Sequence, residues 1–434
     1  MRTPRVVAKH PLSAVMLVAV VARGLYFLAF SAGSDDPLLL GGGDGVEYWA
    51  LGKHLTQQFS FDVPGFLYRP PGYPLVIALE LVATPGSSEW VPIVVNELLS
   101  IGIVPLTYLL ATNLGLSRRC GLLAALIMAV EPTSSLWGAT PLSEPLEAVV
   151  LVGAIILAAA AVRCPAHALR YAALAGVAAA AALIVKPAAV GLVVVLAIIL
   201  VAGLWRPLGP RSVAPAALVI AITLIPYVGW TYSNEKNFGV ATFSSLGNFH
   251  LYFVRGTSVL RRVTGKPPTV IEQELADRLS RRLGSAPSPS KDFDYYRETT
   301  DERAIDEMGA LARGIAKDHP VWFAAMYPVS AVKLFFAPGF GFPVIAYAAI
   351  QGVLYLIALV GLRRLWAARR RLTFWTIVGI VGYVTFLTTT GHGSPNARYL
   401  VPIMPLIAVA AAVALVPRED IKQPSGASPQ LAPE

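Results

Sequence analysis

The chain has 434 residues, of which 55% are hydrophobic and only 14% are charged, and its formal net charge is +9. Soluble globular chains carry about 25% charged residues, so this composition excludes an ordinary water-soluble fold. The basic residues stand mainly in short gaps between apolar blocks, which favours a role in membrane topology and argues against nucleic-acid binding.

Apolar runs of about 20 residues, the length that crosses a bilayer core, follow one another along the chain. They lie near 12–31, 89–113, 120–131, 142–162, 169–185, 188–205, 213–231, 341–362, 372–390 and 399–416. The first follows a basic N-terminus, and its length favours an uncleaved span over a signal peptide removed after the sequence SAG. We predict an all-α polytopic membrane protein with about ten transmembrane helices.

Two further apolar stretches are ambiguous. Residues 73–83 are too few to span and contain Glu80, and residues 320–338 are interrupted by Pro328 and Lys333. We predict that both stretches are interfacial helices, in the first and last long outward loops respectively.

Lysine and arginine concentrate in every second gap, as they do in cytoplasmic loops. The basic gaps contain Arg2, Arg5, Lys9, Arg118, Arg119, Arg163, Arg170, Arg206, Arg211, Arg363, Arg364, Arg369, Arg370, Arg371, Arg418 and Lys422. This pattern predicts a multi-pass cell-membrane protein with both termini in the cytoplasm. Residues 1–416 would form the membrane domain, with outward loops at 32–88 and 232–340, and 417–434 a disordered cytoplasmic tail.

The first outward loop has the densest group of candidate site residues. Asp44 follows three glycines, which allow the backbone to turn sharply and approach a substrate closely. Glu47 and Tyr48 come one turn later if a helix starts there. The alternative is structural, because Asp44 could cap that helix with Glu47 as its capping-box partner.

Arg69 lies in the same loop, in the sequence YRPPGYP, where two prolines stiffen the chain. A rigidly held guanidinium suits bidentate phosphate binding. The alternative is an interfacial arginine that reaches to lipid headgroups.

Other charged residues fall at the same predicted membrane face. Glu144 begins a span in PLSEPL, where it could complement the helix dipole or meet a lipid phosphate or sugar. Lys186 stands alone in the outer layer, where it could be a plain turn charge or a phosphate partner. Arg255 and Arg398 are further outward cations.

Several motifs are absent. The sequence has no GxxxxGK[ST], Rossmann glycine fingerprint or HExxH, so ATP-driven transport, nucleotide-sugar binding of the soluble type and zinc proteolysis lack support. No metal-ligand spacing is present, although carboxylates could bind a divalent metal. We therefore assign no metal ligand and no definite cofactor.

The order of these motifs resembles the GT-C superfamily of membrane glycosyltransferases, particularly family 39, which includes protein O-mannosyltransferases and the aminoarabinose transferase of lipid A. The shared features are an acidic residue after span one, RPPGYP, PLSEPL, VKP, PYVGWTYSNEKNFGVATFSSLGN and RYLVPIMPL, over about residues 10–410. The resemblance implies that Asp44 is the catalytic carboxylate and that Arg69 and Glu144 occupy substrate positions. Gly45 replaces a second acidic residue of the family, and Lys186 replaces an arginine.

The resemblance also implies an activity. A sugar would pass from a polyprenyl-phosphate donor to a lipid, glycan or protein acceptor at the outer face, with inversion at the anomeric carbon. Asp44 would be the general base, while Arg69, Lys186 and Arg255 or Arg398 stabilise the leaving phosphate.

Two other classes of function remain open. A flippase or transporter of a lipid-linked glycan would also have many spans, but it should carry polar residues or broken helices near the middle of the membrane. Here the polar residues concentrate at one face. A scaffold or receptor without catalysis is a third alternative and would tolerate changes at Asp44.

Overall fold

The computed structural model describes residues 11–86, 88–391 and 395–421, and these residues form helices with no β-strand. The α-helices are α1 (Pro11–Phe30), α2 (Asp44–Gln58), α3 (Gly65–Tyr68), α4 (Gly72–Ala83), α5 (Val91–Asn113), α6 (Arg118–Val130), α7 (Pro132–Gly138), α8 (Glu144–Arg163), α9 (Ala168–Val185), α10 (Leu192–Leu208), α11 (Val213–Phe238), α12 (Leu246–Phe249), α13 (Gly256–Thr264), α14 (Pro268–Arg282), α15 (Phe293–Arg297), α16 (Glu302–Asp318), α17 (Pro320–Phe336), α18 (Val344–Ala367), α19 (Arg371–Gly391) and α20 (Met404–Leu415). The all-α class is confirmed.

Every predicted span falls on a helix. In the described residues, eight stretches are long and apolar enough to cross a membrane, or nine if the bent pair α6 and α7 forms one span. One of the eight, Pro187–Phe238, contains both α10 and α11, which pack against each other as separate helices. The predicted polytopic architecture is therefore confirmed, with helices α1, α5, α6, α8, α9, α10, α11, α18, α19 and α20 at the ten predicted spans.

Small residues let the central helices approach closely. Helices α8 and α9, and α9 and α11, pack extensively, and α9 is rich in alanine. Helix α20 lies inside the bundle, and all but its last residue are buried. A Cβ atom at Gly361 of α18 would overlap the carbonyl oxygen of Ala410 in α20. In lipid, the hydrophobic effect does not drive helices together, so close van der Waals packing of this kind stabilises the helix pair.

The short third span has a structural explanation. Helices α6 and α7 meet at an angle of 53°, and every residue of α7 is buried. Glu131, at the break, caps α7, because its carboxylate accepts bonds from the Thr133 and Ser134 amides at 2.6 and 2.8 Å. Glu131 is thus a helix-capping residue in a bent helical pair.

The two ends of the bundle differ in charge. Basic gap residues lie at one end, where Arg163 donates to the Thr112 carbonyl at 2.7 Å and Arg370 to the Leu114 carbonyl at 3.2 Å. The opposite end carries the first long loop and the helices α12 to α16. The predicted interfacial stretches form the short apolar helices α4 and α17, whose place at a membrane surface stays a prediction.

The second long loop folds into a helical cluster with its own core, which includes Phe253, Leu275, Tyr296 and Met308. A Ser/Pro-rich sequence joins α14 to α15. At the C-terminus, Arg418–Asp420 form one 3-10 turn and Ile421 is buried. The predicted tail beyond 421, and the basic N-terminal residues before Pro11, lie outside the described residues.

Candidate active site

Asp44 is the first residue of α2, and it directly follows three glycines. Gly41 and Gly42 have φ values of +80° and +115°, which L-residues with side chains rarely adopt. A Cβ at Gly45 would overlap the Leu38 carbonyl and Pro141, so the helix start is pressed against its neighbours. The N-cap is Gly43, which has no side chain, and the capping-box alternative for Asp44 is therefore wrong.

Two arginines hold the Asp44 carboxylate instead. Arg69 Nη2 lies 2.7 Å from Oδ1, and Arg398 Nη1 lies 2.9 Å from Oδ2. Burial alone would raise the pKa of Asp44, but the two guanidinium groups outweigh burial and hold that pKa well below its usual range. Arg69 also stands over the Tyr48 ring, 4.6 Å from its centroid. Asp44 is thus an ionised carboxylate between two cations.

The ion pairs continue in both directions from Asp44. On one side, Arg69 Nε donates to Glu47 at 2.6 Å, and Glu47 also pairs with Arg297 at 2.9 Å. On the other side, Arg398 lies 3.6 Å from Glu144.

Lys186 then joins Glu144 at 3.0 Å and Glu147 at 3.2 Å. The resulting row, which we call the charge ladder, alternates in sign through Arg297, Glu47, Arg69, Asp44, Arg398, Glu144, Lys186 and Glu147. Within these eight residues the four cations and four carboxylates cancel in formal charge, and Arg297 also lies 3.5 Å from Asp294 and 3.7 Å from Glu298.

The ladder residues lie at helix ends and in the short segments that adjoin them. Glu144 and Glu147 are three residues apart in the first turn of α8, so their side chains lie on the same face of the helix. Both carboxylates interact favourably with the positive N-terminal end of the helix dipole. Lys186 follows the end of α9, directly before Pro187. Arg398 belongs to the 3-10 segment Ala397–Ile403, which leads into α20. Each ladder member beyond the first loop therefore comes from the same end of the bundle.

Six of the eight ladder residues line a cavity of about 530 Å³: Asp44, Arg69, Glu144, Lys186, Arg297 and Arg398. Apolar and aromatic side chains also line it, among them Tyr227, Phe243, Phe249, Leu251 and Phe293. A cavity lined by both charged and apolar side chains suits a ligand that has a charged head and an apolar chain.

His250 also lines this cavity. Burial and the neighbouring Arg69 lower the pKa of His250 to about 4, so its imidazole is neutral near pH 7. A neutral imidazole adds no charge to the balanced ladder.

Most predicted site residues meet in this cavity. Asp44, Tyr48, Arg69, Glu144, Lys186 and Arg398 line it, and Glu47 joins the ladder behind Arg69. Arg255 is the exception and corrects our prediction. Its buried guanidinium donates to the Thr389 and Phe323 carbonyls, each at 2.8 Å, and so ties the π-helical segment His250–Arg255 to α19 and α17.

Two ladder residues were missed from the sequence. Glu147 could have been found, because it lies three residues after Glu144 and shares its helix face. Arg297 stands in a loop with many other charges, and no spacing separates it from them. In the described part of the chain, no three His, Cys, Asp or Glu side chains cluster in a way that could hold a metal.

Comparison with known proteins gives two kinds of match. Residues 84–241 match the family model of dolichyl-phosphate-mannose-protein mannosyltransferase (PMT). Among solved structures, the oligosaccharyltransferase of Archaeoglobus fulgidus in the apo form has a TM-score of 0.58 at 15% identity, covering 94% of this chain and 50% of that one. The same enzyme, AglB, with an inhibitory peptide and a dolichol-phosphate has a TM-score of 0.57 at 15% identity, again over 94% and 50%.

A third structure, ArnT from Cupriavidus metallidurans bound to undecaprenyl phosphate, reaches a TM-score of only 0.40 at 16% identity, over 93% of this chain and 78% of that one. No curated protein matches the chain by sequence. The chain spans about half the length of the archaeal enzyme. The predicted resemblance to GT-C membrane glycosyltransferases is confirmed by the PMT match and the shared fold.

Proposed function

From the GT-C fold of this chain, we propose that the protein transfers a sugar from a polyprenyl-phosphate donor to an acceptor at the outer face of the membrane. The observation that carries this proposal is the Asp44 carboxylate between Arg69 and Arg398, in a cavity that apolar side chains also line. A donor of this kind has a phosphate that can bind the arginines and a prenyl chain that can contact the apolar side chains. The PMT match and the archaeal oligosaccharyltransferase fold support the same class of reaction.

The ladder supplies groups for an inverting displacement. The acceptor hydroxyl oxygen would attack the anomeric carbon while Asp44 takes the hydroxyl proton. The bond between that carbon and the phosphate oxygen would break, and its electron pair would leave with the polyprenyl phosphate. Arg69 and Arg398 would stabilise the charge that develops on the departing phosphate. Lys186 would support this charge from the next position of the ladder.

The location at the outer face rests on charge. The ladder lies at the end of the bundle opposite Arg163 and Arg370, which belong to the basic gaps that mark cytoplasmic loops. A site at a membrane boundary leaves the prenyl chain in lipid while the sugar meets the acceptor.

Reconstitution tests this proposal. Purified protein in proteoliposomes should convert a polyprenyl-phosphate sugar, drawn from a panel of hexoses and pentoses labelled in the sugar, into labelled product and free polyprenyl phosphate. Movement of intact donor across the bilayer without cleavage would contradict the proposal and favour a flippase. Protease protection of tags placed in loop 232–320 would check that this loop faces outward.

A further inference from the structure

The Asp44 carboxylate is engaged before any substrate arrives. Each of its oxygens faces a guanidinium, Arg69 at 2.7 Å and Arg398 at 2.9 Å. Charge-assisted bonds of this kind stabilise the ionised carboxylate and weaken it as a proton acceptor. A general base must instead direct a free lone pair at the proton that it removes. The resting ladder therefore holds Asp44 in a state poorly suited to catalysis.

The cations that a phosphate would need are engaged as well. Arg69 pairs with Asp44 and Glu47, and Arg398 with Asp44 and Glu144. Arg69 and Arg398 each face two carboxylates, so a phosphate that binds these guanidinium groups closely competes with a carboxylate for them.

Burial decides which carboxylate is displaced from Arg398. The Glu144 side chain is only 4% exposed, and freeing it would leave a buried charge with one partner fewer. The Asp44 side chain is 25% exposed and lines the cavity, so water or an acceptor hydroxyl can reach it once it is released. Arg69 keeps Glu47 when Asp44 leaves, and Arg398 keeps Glu144. Asp44 is the partner whose release costs least.

We propose that the donor phosphate and the Asp44 carboxylate compete for Arg69 and Arg398, so that donor binding itself releases the general base. This inference rests on the proposed function and adds an order to it: the donor binds first, and only the donor complex accepts a proton from the acceptor. After transfer, Asp44 returns to the two arginines and helps to expel the polyprenyl phosphate. The resting protein is thus guarded against attack by water on a partly bound donor.

If the donor phosphate competes with Asp44 for the arginines, Asp44 should affect lipid binding as well as catalysis. A residue that acts only as a base would affect catalysis alone. Removing the Asp44 charge should strengthen the binding of lipid phosphate, even though it lowers the rate of sugar transfer. The probe is undecaprenyl phosphate in detergent, titrated into wild type, Asp44→Asn, Glu47→Gln and Asp62→Asn. A ligand that must displace an internal partner binds with reduced apparent affinity, so Kd for Asp44→Asn should fall by at least about fivefold.

The controls separate competition from a general change in charge. Glu47→Gln removes a ladder carboxylate that contacts Arg69 but not Arg398, and should tighten binding less than Asp44→Asn. Asp62→Asn is the same substitution in the same long loop, at an exposed residue paired with His54, and should bind like wild type. Equal tightening by Asp44→Asn and Glu47→Gln would overturn the competition, as would unchanged or weaker binding by Asp44→Asn.

A measurement on wild type covers the case in which Asp44→Asn does not fold. A carbodiimide with an amine label modifies carboxyl groups, and mass spectrometry locates the label. Undecaprenyl phosphate should increase labelling of Asp44 and leave that of Asp62 unchanged. Unchanged or reduced labelling of Asp44 would contradict its release.

If neither wild type nor any variant binds undecaprenyl phosphate or transfers sugar, the proposed function fails and the inference fails with it. If wild type binds and transfers, only the order is in question.

Discussion

Arg398 Nη1 lies 2.9 Å from Asp44 Oδ2, although the two residues belong to opposite ends of the chain. The contact joins the segment before α20 to the first turn of α2, and Arg398 also reaches Glu144 at 3.6 Å. One guanidinium thus connects the first long loop, the start of α8 and the last span.

Substitution of Arg398 should impair catalysis more than folding. Arg398→Gln is expected to lower transfer by about 10²- to 10³-fold, because the phosphate loses a charged donor in the transition state. Arg398→Lys should recover only part of the rate, since an ammonium cannot bridge two groups as a planar fork does. Initial rates on reconstituted protein measure both effects. Arg418→Gln, an exposed arginine at the other end of the bundle, is the control, and a comparable loss there would refute a specific role for Arg398.

Lys186 should matter more for stability than its partner Glu147. Lys186→Met leaves Glu144 and Glu147 buried without their shared cation, whereas Glu147→Gln leaves Lys186 its bond to Glu144. Breaking a buried pair costs about 3–5 kcal/mol, so Lys186→Met should reach that range and Glu147→Gln fall below it. Thermal unfolding in detergent gives the comparison, with the exposed Lys236→Met as control. Equal losses from both buried variants would contradict the pairing.

Arg255 should behave as a structural residue. Arg255→Met leaves the Thr389 and Phe323 carbonyls without their donor, which should destabilise the fold by about 1–3 kcal/mol. The folded fraction should bind undecaprenyl phosphate with wild-type affinity, because Arg255 does not line the cavity. If Arg255→Met had wild-type stability but bound undecaprenyl phosphate more weakly, Arg255 would be a substrate-binding residue.

His250 should make stability depend on pH. Its folded-state pKa of about 4 lies below the unfolded value of 6.5, so the unfolded chain binds more protons between these values. Its contribution is therefore complete above pH 6.5 and declines as the pH falls towards 4. The free energy of unfolding of wild type should therefore fall relative to that of His250→Gln as the pH is lowered from 6.5 to 4, whereas the exposed His167→Gln should follow wild type throughout. A constant difference across this window would argue against a depressed pKa.

Much of the architecture follows from the sequence, since hydropathy locates every span and alternating basic gaps predict which helix ends lie together. The motif order also selects Asp44, Arg69, Glu144 and Lys186, all of which line one cavity. Pairing is harder to predict. Nothing in the sequence shows that Arg398 reaches Asp44, because that contact depends on how the last span packs into the bundle.

The errors have physical causes. Arg255 was assigned to the site because charge at an outward position favours phosphate binding, but the π-helical segment turns its side chain towards α17 and α19. Glu147 was overlooked although it lies one turn after Glu144 on α8, because its partner Lys186 follows a different helix and their pairing cannot be read from the sequence.

The most direct test of the account is transfer by Asp44→Asn beside Asp62→Asn, with a labelled polyprenyl-phosphate sugar in proteoliposomes. Loss of the base should lower turnover by about 10²- to 10⁴-fold, while Asp62→Asn should transfer at the wild-type rate. Retained binding of undecaprenyl phosphate by Asp44→Asn would show that its site is intact. Sugar transfer by folded Asp44→Asn at the wild-type rate would contradict the central claim.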